Sequence, residues 1–301
     1  MTRLRLSGAC TALVTPFTPD GSHLDVAALE AHVSRQIDHG IAGLVPCGTT
    51  GESPTLSDAE MVEVIKRTAS LAKGRVPVIA GAGSNSTSKS IHHARSALDA
   101  GADGVMIVMP YYNKPSQEGL FRHVTTIARE VGGAPVVLYN IPGRSVVDLS
   151  TDTLARIVDA APNVVAIKDA TGNILRCQQT ISRFGDAVDV MCGDDALTLG
   201  MMAVGARGVI SVTSNLLPSQ LAAVCKAASE GRWDDARRLH YALLPLHDAM
   251  FVEPNPVPVK VALSIRGWMT PTVRLPLSPA LDSTHKLVTD VMRQYDARSA
   301  T

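Results

Sequence analysis

Short apolar runs alternate with amphipathic stretches along the first 230 or so residues, in a repeat of about 30. The runs 12–15, 44–47, 76–80, 104–108, 136–139, 164–168, 188–191 and 209–212 are rich in Val, Ile and Leu and too short for helices, which predicts strands. Most are apolar at consecutive positions, the pattern of strands buried on both faces. A helical pattern follows each. Ser57-Asp-Ala-Glu60 is a capping box ahead of Met61, Val62, Val64 and Ile65. Ser86 or Thr87, Ser116 and Ser150 open further helices, Gly101 stops one after Ala100, and Pro218 sits in the first turn of another. Eight strand–helix units with doubly buried strands fit a closed α/β architecture, the (β/α)8 TIM barrel, better than an open sheet. After Gly231 the alternation stops. Residues 233–247, 259–266 and 280–298 read as helices separated by Pro-rich segments. The expected organisation is a barrel over 1–231 and a C-terminal helical appendage over 232–301.

Composition narrows the function classes. Lys plus Arg and Asp plus Glu balance at 28 each, so no nucleic-acid or anionic-membrane footprint is expected. No apolar run approaches the ~18 residues of a spanning helix. Two arginines precede the apolar run from Ala9 to Val14, a faint imitation of a signal peptide, but Pro16 and Pro19 follow too soon and a first strand is the better reading. The five cysteines are dispersed and lack a C-x-x-C pair, as in reduced proteins of the cytoplasm. His92 and His93 are adjacent, so on a helix they diverge and are not expected to form a facing ligand pair. Neither a metal nor a cofactor is expected.

In a barrel, chemistry gathers at the C-terminal ends of the strands. Those ends carry Thr15, Gly48-Thr-Thr-Gly-Glu52, Gly81-Ala-Gly-Ser-Asn85, Tyr111-Tyr-Asn113, Tyr139-Asn140, Lys168, Gly193-Asp-Asp195 and Ser214-Asn215. Lys168 ends the apolar run Val164-Val-Ala-Ile-Lys168. A free lysine amine titrates near ~10.4, and apolar walls disfavour its charged form, which suits imine formation with a carbonyl. The plainer alternative is a snorkelling lysine paired with Asp169. Tyr139 ends the preceding strand, placing its phenol within about 5–10 Å of that amine, where it could give and take protons. Thr49-Thr50, between glycines, leaves N–H groups and hydroxyls free to hold a small carboxylate. Gly81-x-Gly83 lacks the rest of a nucleotide fingerprint and reads as a turn. Asp194 and Asp195 sit where phosphate-binding barrels often hold their anion, which argues against a phosphorylated substrate.

Gly48-Thr-Thr-Gly-Glu-Ser53, Pro110-Tyr-Tyr-Asn113, Tyr139-Asn-Ile-Pro-Gly-Arg144, Ile167-Lys-Asp-Ala-Thr-Gly172 and Gly208-Val-Ile-Ser-Val212 together resemble the pyruvate-dependent class I aldolase superfamily, and within it the dihydrodipicolinate synthase family. The likeness is collinear from about Gly8 through Phe251-Val-Glu-Pro-Asn-Pro256 to the last helices. It implies that Lys168 forms an imine with pyruvate, that Thr50 holds the pyruvate carboxylate beside Ile210 and Gly193, and that Tyr139, Thr49 and a neighbouring subunit's Tyr112 relay protons. It implies that Arg144 binds the carboxylate of L-aspartate 4-semialdehyde, and that the assembly is a homotetramer of tight dimers.

Some positions depart from the family pattern. Ser145-Val146 stands where Thr-Gly is frequent, and Asp169 where Glu is usual. At the site where lysine-regulated members hold their inhibitor, Asp58, Met61 and Lys89 replace two histidines and a glutamate, while Ser53, Asn85 and Tyr111 match. Weak or absent inhibition by L-lysine is the expectation. Alternatives on the same scaffold are N-acetylneuraminate lyase and 2-keto-3-deoxy sugar acid aldolases, which usually lack the arginine at 144. A silent ketoacid-binding barrel would be expected to lack Lys168 or Tyr139, and a pyridoxal phosphate enzyme would need a phosphate cradle.

Overall fold

The computed structural model describes residues 4–299. Eight strands, β1 (Gly8–Ala12), β2 (Gly43–Val45), β3 (Ile79–Gly81), β4 (Gly104–Val108), β5 (Val136–Asn140), β6 (Val164–Asp169), β7 (Asp189–Cys192) and β8 (Gly208–Ser211), alternate with helices. All pairings are parallel, in the order β2-β1-β8-β7-β6-β5-β4-β3. A parallel bridge between Leu44 and Val78, reinforced by the Leu44 N–H donating to the Pro77 carbonyl at 2.9 Å, closes the ring. The (β/α)8 barrel read from the alternation is the fold.

Three strands differ from the sequence reading by two or more residues at an end. β1 begins at Gly8 and ends at Ala12 instead of running from 12 to 15. Past Ala12 a side chain takes over from the ladder: Asn215 accepts from the Val14 N–H at 3.1 Å and donates to the Ala12 carbonyl at 2.8 Å. β3 starts at Ile79, not 76, because Pro77 has no N–H and that of Val78 goes to the Asp103 carboxylate at 2.8 Å. β2 stops at Val45, since Pro46 follows and Cys47 turns to φ +56°.

The capping signals hold. Ser57 and Glu60 form the reciprocal capping box of the Asp58–Ala72 helix, while Ser86, Ser116 and Ser150 each accept an N–H at the start of theirs. Each such cap contributes about 1 kcal/mol. Inside the barrel, Cys10, Val45, Ile79, Met106, Val137 and Met191 pack in one cluster, and a larger cluster fills the space between strands and helices. Beyond the Pro218–Ser229 helix come Trp233–Ala249, Val257–Ile265 and Asp282–Ser299. The second of these is buried nearly all round and packs against the Asp282–Ser299 helix and the turn after β8. Among the described residues no helix is long and apolar enough to cross a membrane.

Candidate active site

The pleat of β6 would carry Val165, Ile167 and Asp169 to one face and Lys168 to the other, but the register against β5 shifts between Val136 and Val137. Val136 pairs with Val164 and Val137 with Ala166, so one extra residue is absorbed and Tyr139 lies directly opposite Lys168. Both side chains point into the barrel. The Lys168 Nζ sits 4.3 Å from the centroid of the Tyr139 ring, and the two residues are only 5% exposed. An ammonium over an aromatic face is attracted by the ring quadrupole, which holds the amine in place.

The residues after these two turn outward and lock the strand ends together. Asn140 accepts from the Leu149 N–H at 3.1 Å and donates to Asp148 at 2.8 Å. Arg176 reaches both Asp148 oxygens at 2.7 Å and approaches Asp169 at 3.9 Å. Asp169 accepts from the backbone and hydroxyl of Thr171 at 2.9 and 2.6 Å. Its carboxylate is therefore engaged on the outer side, and the alternative of a Lys168–Asp169 surface pair does not occur. Gly193 sits against the same segment: a Cβ there would lie 2.7 Å from the Ala170 Cβ and 3.0 Å from the Asp169 carbonyl, so only glycine fits. Ile210 is buried in the barrel interior.

A cavity of about 570 Å³ opens at the C-terminal ends of β3, β4 and β5. Thr49, Asp58, Met61, Lys89, His92, Val108, Tyr111, Ile141, Arg144 and Ser145 are among the residues that line it. Lys168 and Tyr139 do not line it. Thr50 is buried, and its hydroxyl accepts from Asn255 Nδ2 at 2.9 Å. Thr49 is half-buried and Arg144 is exposed, with no ion pair among the described residues. The structure does not bring Tyr112 into the site of its own chain. It stands 87% exposed at φ +73°, a strained backbone for a bulky residue. Val146 likewise holds φ +63°, a left-handed conformation that suits the glycine found there in the family pattern.

The Nε2 atoms of His92 and His93 each lie 3.2 Å from a different oxygen of Asp58, with the two rings tilted at 54° to one another. One sequence reading needs correction. Gly81 and Gly83 are not a turn. Gly81 ends β3, and a Cβ on it would overlap the Cys47 carbonyl, while one on Gly83 would lie 2.4 Å from the Val108 nitrogen. Among the described residues no group of three or more His, Cys, Asp or Glu is arranged to hold a metal ion.

Sequence reasoning missed three supports. Asp195 is buried, bonded to the Ser211 hydroxyl and accepting the Val212 N–H at 2.8 Å, so it fixes the end of β8 beside Ile210. Asn255 holds Thr50. Lys260 is wholly buried and paired with Glu52 at 2.5 Å, and burial pulls its amine down to about 8 against the opposing pull of the Glu52 carboxylate. A lysine inside Val257-Pro-Val-Lys-Val-Ala-Leu263 was the available signal for the last.

A (β/α)8 barrel with an enclosed lysine and tyrosine at its mouth is the frame of a class I aldolase-type enzyme. The profile of the Dihydrodipicolinate synthetase family matches residues 5–295, and the chain belongs to that family. It is 60% identical to the 4-hydroxy-tetrahydrodipicolinate synthase of Sorangium cellulosum over 298 residues, covering 99% of each chain. It is 42% identical to the solved 4-hydroxy-tetrahydrodipicolinate synthase of the methanotroph Methylacidiphilum fumariolicum SolV, with a TM-score of 0.95 and 98% of each chain covered. The dihydrodipicolinate synthase of Acinetobacter baumannii, solved in complex with pyruvate, is 40% identical with a TM-score of 0.94, covering 97% of this chain and 99% of that one.

Proposed function

We propose that the chain condenses pyruvate with L-aspartate 4-semialdehyde, giving 4-hydroxy-tetrahydrodipicolinate for diaminopimelate and lysine synthesis in the cytoplasm. The observation that carries the reading is the enclosed Lys168 amine held over the Tyr139 ring. The Lys168 Nζ attacks C2 of pyruvate, and loss of water gives an imine. Removal of a methyl proton yields the enamine, whose terminal carbon adds to the aldehyde; the new alkoxide takes up a proton. The amine of the second substrate then attacks the imine carbon, closes the ring and releases Lys168.

Tyr139 and Thr49, with Tyr112 from a neighbouring subunit, move the protons in this reading. The exposure and strain of Tyr112 support its use outside its own chain, in a homotetramer. Thr50 receives the pyruvate carboxylate, with the backbone of Ile210 against the bound ketoacid and Gly193 lining the pocket. Arg144, in no ion pair among the described residues, takes the carboxylate of the second substrate, where a guanidinium can bind bidentately. Turnover of pyruvate with aspartate semialdehyde, compared with cleavage of N-acetylneuraminate, tests the assignment. Condensation without cleavage is expected; cleavage without condensation would overturn it.

A further inference from the structure

Thr50 and Glu52 lie two residues apart in the loop after β2, and the post-barrel segment meets both. Asn255 Nδ2 donates to the Thr50 hydroxyl oxygen at 2.9 Å. Five residues on, Lys260 Nζ donates to Glu52 Oε1 at 2.5 Å and to the Thr272 carbonyl at 2.8 Å. The other Glu52 oxygen accepts the Arg274 N–H at 2.9 Å. The Phe17 ring lies 4.3 Å from Lys260 Nζ and 4.1 Å from the Arg274 guanidinium, sealing the pair from solvent. Glu52 itself holds φ +54°, so the loop keeps a strained backbone to present that carboxylate inward.

A buried ion pair is seldom the cheapest way to fill a core, and its best-attested use is to fix register. Here the register fixed is that of Asn255 against Thr50: the loop cannot slip along the 255–260 segment without uncoupling Glu52 from Lys260. The consequence is chemical. A threonine hydroxyl has one proton to give. Because Asn255 fills an acceptor site on the Thr50 oxygen, and Thr50 donates to nothing among the described residues, that proton is left for a ligand. Asn255 is itself 7% exposed, and its Oδ1 finds no partner among the described residues. Were the carboxamide turned over, that oxygen would take the Thr50 proton and leave lone pairs facing the substrate's carboxylate.

We propose that Asn255, held in register by the Lys260–Glu52 pair, is a positioning residue for substrate binding that commits the Thr50 hydroxyl to donate to the pyruvate carboxylate. The proposal rests on the pyruvate reading above. Its test is a double-mutant cycle, with the KM for pyruvate and kcat measured in the full-length protein for Asn255→Ala, Thr50→Val and the pair, together with Asn255→Asp. A carboxylate at 255 can only accept from Thr50, so N255D is expected to raise the pyruvate KM by roughly 10–100-fold, the range of a bond to a charged group. Its kcat at saturating pyruvate and its KM for the aldehyde should stay within about threefold of the parent's. N255A should raise the pyruvate KM in the parent and add nothing in the Thr50→Val background, because the bond it removes is already gone. N255A leaves the Lys260–Glu52 pair intact, so it carries the test if N255D does not fold. Additive losses in the cycle, or an unchanged pyruvate KM in N255A, would overturn the proposal. Failure of the pyruvate reading itself would look different, since the parent protein would then neither condense pyruvate nor form a reducible adduct with it.

Discussion

Replacing Tyr139 by phenylalanine separates the two things this residue does. The ring lies 4.3 Å from the Lys168 amine and is almost wholly enclosed. Phenylalanine keeps the ring, its packing and most of the cation–π attraction, which is about 0.5–2 kcal/mol for such pairs. It removes only the hydroxyl, which no protein group hydrogen-bonds among the described residues, so the cost to folding is small, within about 1 kcal/mol. On the proposed mechanism, catalysis loses its proton carrier. General acid–base groups contribute about 10²–10⁴-fold, so kcat should fall by that factor, or about 3–5.5 kcal/mol in barrier height. Tyr139→Ala would confound the question, since deleting a buried aromatic costs about 3–5 kcal/mol of stability. The assay is steady-state condensation, run alongside thermal unfolding and borohydride trapping of labelled pyruvate. A folded Y139F protein that still traps pyruvate but turns over slowly is expected. Turnover within threefold of the parent's would refute the role given to the phenol.

Three further outcomes follow from the geometry. Arg144→Lys should raise the KM for aspartate semialdehyde by roughly 10–100-fold, the equivalent of about 1.5–3 kcal/mol, while leaving pyruvate trapping unchanged; an equal rise in both KM values would contradict it. L-lysine at sub-millimolar concentration should leave turnover near its uninhibited rate, because Lys89 and Met61 line the cavity and Asp58 is already held by His92 and His93; half-inhibition in that range would refute this. Burial lowers His32 and His123 from 6.5 to about 4, so below their unfolded value the unfolded chain binds protons that the folded one does not. Their stabilisation is complete above pH 6.5 and is lost as pH falls towards 4, by roughly 3 kcal/mol each, and His123→Gln should flatten the fall of Tm with pH across that window. An unchanged slope would remove His123 from the account.

Much of this fold is legible locally. Strand–helix alternation, serine caps and the lysine near the end of β6 are each set by a few neighbouring residues. What escapes the sequence depends on groups far apart in the chain. The Lys260–Glu52 pair joins residues 208 apart, and the end of β1 is decided by Asn215, 201 residues after the Val14 N–H that it accepts. The bulge opposite Val136 cannot be seen in β6 alone, yet it sets Lys168 against Tyr139. Likewise Asp169 reads as a partner for its neighbour until Thr171 and Arg176 are seen to occupy it. The candidate site was readable where one residue's chemistry conflicted with its apolar setting. It was hidden where a polar residue's partner was supplied by another strand or by the post-barrel helices.

Reduction with borohydride in the presence of pyruvate, followed by peptide mapping, tests the imine most directly. One reduced three-carbon adduct is expected, on the peptide containing Lys168, and none in Lys168→Arg, which should also lose turnover. An adduct on another lysine, or full condensation by the arginine variant, would contradict it.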